Sequence, residues 1–179
     1  MEEKHYQYMS EISTYDIERM MDEFGEDVWQ YAFFLTKKHD MADDIAQEVF
    51  IKAYRAVQSF RGQSSLKTWL LKITRNTAYS HFRNPFYKRA VLMQHISLAD
   101  TRKSAESDYM EQEFAHEIWS LVMRLSTKYR EVIVLSGHYH LSMEEIADAL
   151  QISVSTAKTR LHRARKALYK LMKEGQDSE

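Results

Sequence analysis

Lys158, Thr159, His162, Arg163 and Lys166 recur at three- and four-residue spacings, with Ser155 one turn before them and Lys170 one turn after. On a helix these positions share one face. Amines, a guanidinium, an imidazole and hydroxyls grouped in this way are hydrogen-bond donors and positive charges, suited to base edges and phosphates. The opposite stripe, Val154, Ala157, Leu161, Ala164, Leu168 and Leu171, is apolar and reads as core. Just upstream, Ser142 and Glu145 form an S-x-x-E capping box opening a shorter helix with Ile146, Ala147 and Leu150 inward. Gln151-Ile152-Ser153 then turns the chain. Two short amphipathic helices joined tightly are a helix-turn-helix, which lays its second helix in a DNA major groove. Near the start of that helix, Lys158 or Arg163 suits guanine and His162 could read shape or a donor. Arg165 and Lys166 sit better for phosphates.

A second basic region lies far from the first. Residues 61–90 carry 7 bases and no acid. From Leu66 to Arg83 the spacing predicts a helix with Leu66, Leu70, Ile73 and Thr77 inward. Lys72, Arg75, Asn76, Tyr79 and Arg83 take the outer face, with Trp69 at its edge and partly in the core. Cations, an amide and aromatics on one face suit phosphate neutralisation and stacking on unpaired bases. The preceding loop, with Phe60, Arg61, Gly62, Ser64 and Ser65, offers hydroxyls and backbone donors that could hold one extruded base. The plainer alternative is a solvated basic face.

A third face has no basic character. Around Ala46, the residues Ala42, Ala46, Val49, Phe50, Ala53 and Val57 fall on one side of a helix. Asp44, Gln47, Glu48, Ile51 and Arg55 fall on the other. Ile51 among charges, with Asp44 and Glu48 a turn apart, makes a candidate acidic, apolar-centred protein-docking face. Catalysis has little support. Asp40, Asp43, Asp44 and Glu48 spread around the helix without a His at metal-ligand spacing, and the His138–His140 pair lacks further ligands. Neither a glycine-rich phosphate loop nor a nucleophile elbow is present. The expectation is a non-enzyme without metal, cofactor or small-molecule substrate.

Elements must position these faces, and composition says which kind. With 44% hydrophobic residues, one proline, four glycines and no cysteine, 179 residues suit one medium or two small cores without disulfides. Val, Ile and Thr never cluster at period two, so the expected fold is all-α. No apolar run approaches the roughly 18 residues of a membrane span, and the acidic, polar start does not read as a signal peptide. The net charge of −1 hides a pattern: 13 acids and 6 bases in residues 1–60, then the basic block, 10 acids and 5 bases in 91–150, and 7 bases with 3 acids in 151–179. Two basic blocks suggest two contacts with a polyanion. Helices are expected at Asp16–Lys38, Asp43–Gln58, Leu66–Arg83, Glu111–Leu125 and Lys128–Gly137, before the helix-turn-helix. Asn84-Pro85 should break the chain, and Ser97–Asp108 reads as flexible linker.

In this order the pieces resemble the extracytoplasmic-function (group IV) sigma factors of bacterial RNA polymerase, over roughly Asp22 to Met172. The segments that carry the likeness are D-x-x-Q-E-x-F from Asp44, F-x-G-x-S-S-x-x-T-W-L from Phe60, and T-x-K-T-R-L-H-R-A-R from Thr156. YREVIVL from Tyr129 onward is similar to the family's region 4. The resemblance implies two helical domains: residues 16–85, contacting core polymerase and the −10 element, and residues 111–174, contacting the −35 element. Residues 86–110 would be a linker threading toward the RNA exit path, 1–15 an unassigned extension and 175–179 a tail.

By the same resemblance Asp44, Gln47 and Glu48 would meet the polymerase clamp helices of β′, with Ile51 and Arg55 on that face. The flap of β would be a further contact. Phe60–Ser65 and the Trp69–Arg83 helix would open the −10 element and trap a flipped base. Lys158, Thr159, His162 and Arg163 would read the −35 element, with Thr156 and Arg160 on backbone. It implies a cytoplasmic bacterial protein, nucleoid-associated when active. It also implies an anti-sigma partner, which in many relatives is membrane-anchored, and control of a stress or envelope regulon. The chain departs from the family at Leu125-Ser126 for Leu-Pro, Gln151 for a turn glycine, Ser155 for glycine and Ala157 for valine. Two rival readings are a dimeric helix-turn-helix regulator and a nucleic-acid-processing enzyme.

Overall fold

In a computed structural model, residues 17–83 and 117–176 are described, and among them every regular element is helical. The N-terminal half holds α1 (Ile17–Thr36), α2 (His39–Ala56), a 3-10 turn (Val57–Ser59) and α3 (Leu66–Arg83). The C-terminal half holds α4 (Glu117–Arg124), α5 (Thr127–Gly137), α6 (Met143–Leu150) and α7 (Val154–Gln176). The all-α expectation is met. The expected starts at Asp16 and Glu111, the Asn84-Pro85 break, the Ser97–Asp108 linker and the 1–15 extension lie outside the described residues.

α1 buries Val28, Tyr31, Ala32, Phe34 and Leu35, an apolar stripe at helical period; the helix packs on α2 and α3, and Tyr31 meets Tyr139 while Phe34 meets Trp119 and His138 of the C-terminal half. It ends at Lys37, whose φ of 60 places it in the left-handed region and turns the chain sharply. α2 then starts four residues earlier than expected. Its cap residue Lys38 offers no side-chain hydrogen bond, so no capping signal marks the start. Burial of Met41 and Ala42 against α1 draws the extra turn in. At the other end α2 tightens into the 3-10 turn, and Gly62, with φ +65, carries the loop onward. Ser65 caps α3 by accepting from the Thr68 backbone N–H at 3.0 Å.

In the C-terminal half α5 buries Arg130 through Leu135 in succession, so nearly its whole circumference is covered. The capping box forms as the spacing predicted: Glu145 N–H donates to Ser142 Oγ at 3.2 Å and Ser142 N–H donates to Glu145 Oε2 at 2.9 Å. Gln151 has φ 54 and ψ 48, the left-handed conformation that explains why a glycine suits this turn. A side chain there costs about 1–2 kcal/mol. α7 buries Ala157, Leu161 and Ala164, while Leu168 and Leu171 are only half-covered because the helix runs on beyond its neighbours.

The two halves do not sit apart. Their buried residues join in one continuous cluster, α3 packs on α6, and α1 packs on α5. Much of the seam is polar. Arg130 of α5 reaches across to the C-terminal end of α1, donating to the carbonyls of Phe34 and Leu35, and back to those of Met123 at 3.0 Å and Leu125 at 2.9 Å. A cation at a helix C-terminus also meets the negative end of the helix dipole. Tyr139 Oη donates to the Asp27 carbonyl at 2.7 Å, and the His138 ring pairs with Gln30 at 2.8 Å.

Candidate nucleic-acid interface

The face of α7 opposite its buried stripe is open. Ser155, Thr156, Lys158, Thr159, His162, Arg163, Arg165 and Lys166 are all exposed there. Ser153 fixes the start of the helix by accepting from the Thr156 N–H at 3.1 Å, which frees the following residues to project outward. Beside this start lies a cleft of about 180 Å³ lined by Lys128, Tyr129, Ser155, Thr156, Thr159, Arg160 and Arg163. Cations, hydroxyls and a helix N-terminus around one concavity suit a phosphate. Sequence reasoning missed Lys128 and Tyr129, because they come from α5 and no periodicity links them to α7.

Arg160 differs from its neighbours. Its side chain is only 12% exposed and its guanidinium donates to Glu131 Oε1 at 2.9 Å. The other oxygen of Glu131 accepts from Arg75 Nε at 3.0 Å and from Tyr79 Oη at 3.2 Å. Glu131 is 1% exposed, so one buried carboxylate gathers three groups from both basic helices. Burial alone would lower the Arg75 pKa, but Glu131 beside it more than offsets this and raises it. Tyr79 is pushed up, first by burial and then by Glu131. Nothing in the local pattern of YREVIVL marks Glu131 as the hub; only residues 29 and 56 positions away complete it.

This arrangement corrects the expected outer face of α3. Asn76 and Arg83 are exposed, but Lys72, Arg75 and Tyr79 are half-buried. The C-terminal half lies against them: Lys72 pairs with Asp148 at 2.6 Å, and Thr68 Oγ1 donates to Glu145 Oε1 at 3.1 Å. Trp69 is half-buried as expected. In the loop, Arg61 and Gly62 are exposed, Ser64 is half-buried, and Ser65 is spent on the α3 cap. Phe60 is buried against Trp69, with ring centroids 5.1 Å apart, so it supports the loop from below rather than presenting itself.

On α2 the expected face is present. Asp44, Gln47, Ile51 and Arg55 are exposed, Ile51 by 49%. Tyr54, 59% exposed, extends the apolar centre one turn along and was missed, although its i+3 spacing from Ile51 could have found it. Glu48 is half-buried between Lys52 at 2.7 Å and His81 at 2.6 Å. Burial would raise its pKa, yet hydrogen bonds from Lys52 and His81 prevail and hold it below the usual carboxylate range. Among the described residues no group of three or more His, Asp or Glu could hold a metal ion, and no helix is long and apolar enough to cross a membrane.

A helical protein with an open basic recognition helix, a second basic helix and a separate acidic, apolar-centred face has the makings of a transcription factor with several contacts. Comparison with known proteins gives the family. The profile of sigma-70 region 2 matches residues 20–84, and that of sigma-70 region 4 matches residues 115–168. The RNA polymerase sigma factor YlaC of Bacillus subtilis is 31% identical over 165 residues, covering 91% of this chain and 95% of its own. The ECF RNA polymerase sigma factor SigX of the same organism is 32% identical over 162 residues, covering 86% and 81%. Among solved structures, the sigma factor RpoE of Bartonella quintana, in complex with the anti-sigma factor NepR, superposes with a TM-score of 0.65. It is 28% identical, and the match covers 87% of this chain and 96% of that one. CnrH, solved with the cytosolic domain of CnrY, shares the fold at a TM-score of 0.66 and 22% identity. The chain belongs to the extracytoplasmic-function group of the sigma-70 family, transcription initiation factors that recognise promoters.

Proposed function

We propose that this sigma factor binds core RNA polymerase through α2, reads a −35 element with α7, and opens a −10 element with α3 and the Phe60–Ser65 loop. The observation that carries the reading is the open donor face of α7: all its expected contacts but Arg160 project from one capped helix. Lys158, Thr159, His162 and Arg163 lie nearest base edges. Ser155, Thr156, Arg165 and Lys166 flank them toward phosphates. On α2, Ile51 and Tyr54 supply an apolar centre ringed by Asp44, Gln47 and Arg55, suited to helices of the polymerase clamp. Residues 16–85 and 111–174 act as the two working units, joined through 86–110. Contact between the C-terminal unit and the flap of β belongs to the same reading.

An anti-sigma partner is part of this proposal. Its support is the relative from Bartonella quintana, which was solved with one. A membrane anchor for that partner, a cytoplasmic location and a stress or envelope regulon belong to the reading by family resemblance alone.

Run-off transcription with purified core polymerase on a genomic fragment library tests the whole reading. New starts at a fixed distance below a shared two-part motif are expected, and Ile51→Lys on the exposed face of α2 should reduce them by weakening core binding. Promoter binding as a dimer without polymerase would instead establish a conventional regulator.

A further inference from the structure

The cleft at the start of α7 is built from two helices, Lys128 and Tyr129 of α5 lining it together with Ser155, Arg160 and Arg163 of α7. No carboxylate lines it, and among the described residues neither Lys128 nor Arg163 has an ion-pair partner. Arg160 is held in place by Glu131 at 2.9 Å. Glu131 also holds Arg75, so two guanidiniums on one carboxylate leave a positive charge over. Several other polar groups are already spent. Thr156 Oγ1 and Ser153 Oγ share a hydrogen bond of 2.7 Å, and Thr159 Oγ1 donates to the Ser155 carbonyl at 3.0 Å. The Thr156 N–H donates to Ser153, so the cleft does not depend on the free end of the helix. The groups left for a ligand are the Lys128 amine, the Arg163 guanidinium and the hydroxyls of Ser155 and Tyr129.

Charge and depth decide what fits them. A phosphodiester in a DNA backbone carries one negative charge and has two of its oxygens in ester links. A terminal phosphate carries about −1.5 to −2 near neutral pH and offers three acceptor oxygens. Two unpaired cations, with a surplus of charge beside them at Arg160, match the second group better than the first. The cleft holds about 180 Å³, the volume of roughly six waters, which admits a phosphate and the first atoms of its carrier. A backbone phosphate lying along an exposed helix face needs no such depth. We infer that this cleft is a binding site for a terminal phosphate, the charged group of a small phosphomonoester. Arg163 belongs both to the cleft and to the face read as the −35 contact. On that reading, a phosphomonoester in the cleft withdraws Arg163 from DNA and lowers promoter binding.

Methyl phosphate and dimethyl phosphate are the probes, because they differ chiefly as monoester and diester. Each is titrated into the full chain at constant ionic strength and followed by phosphorus NMR. Saturable binding of methyl phosphate with a Kd of about 1 mM is expected, at least about tenfold tighter than that of dimethyl phosphate. Lys128→Gln should weaken it about tenfold through loss of a charge-assisted hydrogen bond. Lys173→Gln, in the last turn of α7, should leave it unchanged. Equal affinity for the two esters would make the cleft a seat for DNA backbone and overturn the proposal. Absence of saturation would overturn it too, as would an equal loss in Lys173→Gln, the sign of diffuse charge attraction. A second arm measures binding of the polymerase complex to a duplex carrying the −35 element. Methyl phosphate should weaken it, and Lys128→Gln should raise the concentration required about tenfold. Saturable binding that leaves promoter affinity untouched upholds the site and overturns the reading of Arg163 as a −35 contact.

Discussion

At the scale of single residues, what a side chain touches separates groups that look alike in the sequence. Arg160 and Arg163 are three positions apart on one helix, yet Arg160 is held by Glu131 while Arg163 faces outward beside the cleft at the start of α7. Arg163→Ala should therefore cost about 1–3 kcal/mol of discrimination between matched and mismatched −35 sequences, measured by competition binding of the polymerase complex. An equal loss on every sequence would make Arg163 a phosphate contact instead. Arg130 shows the converse. Its charge suggested nothing special, but it is buried and donates to carbonyls of α1, of the last turn of α4 and of the α4–α5 connection. Periodicity did not mark it, because its acceptors are main-chain atoms and leave no trace in side-chain pattern.

Elements were the most legible level. The α3 span, the Gly62 turn, the capping box and the two faces of α7 follow from spacing and turn chemistry, which act within a few residues. The start of α2 was not legible, since tertiary burial of Met41 rather than a cap sets it. The box on α6 has a pH signature. The Ser142 backbone N–H, first among several causes, holds the Glu145 carboxyl below its usual range. Its contribution to stability is thus complete above the ordinary carboxylate pKa and disappears as pH falls through the lowered value. Ser142→Ala should reduce stability by about 1 kcal/mol at neutral pH. Glu145→Gln, which removes the titrating carboxyl, should flatten the acid limb of the stability curve, followed by urea unfolding across pH. An acid limb as steep as that of the parent chain would place the dependence elsewhere.

For the whole molecule, the decisive contacts join residues far apart in sequence. Arg130 reaches Phe34 across 96 positions and ties the C-terminal half to the end of α1. Replacement by methionine keeps much of the volume but strips donors from buried carbonyls. Arg130→Met should lower stability by about 3 kcal/mol or more, read from the urea midpoint. A loss below about 1 kcal/mol would mean that water satisfies those carbonyls readily. The same docking brings Asp148 and Glu131 onto Lys72 and Arg75 of α3.

The amino-acid sequence alone determined the helical class, the helix-turn-helix, the open polar face of α7 and the acidic face around Ile51. Each of these depends on a period of 3.6 residues or on a cap a few residues long. The tertiary structure alone decided that Lys72, Arg75 and Tyr79 turn toward carboxylates rather than solvent, and that Phe60 lies beneath its loop. A local pattern can show which arc of a helix is polar. Whether that arc meets water or another part of the chain depends on docking between segments, and nothing in the spacing of either segment records it.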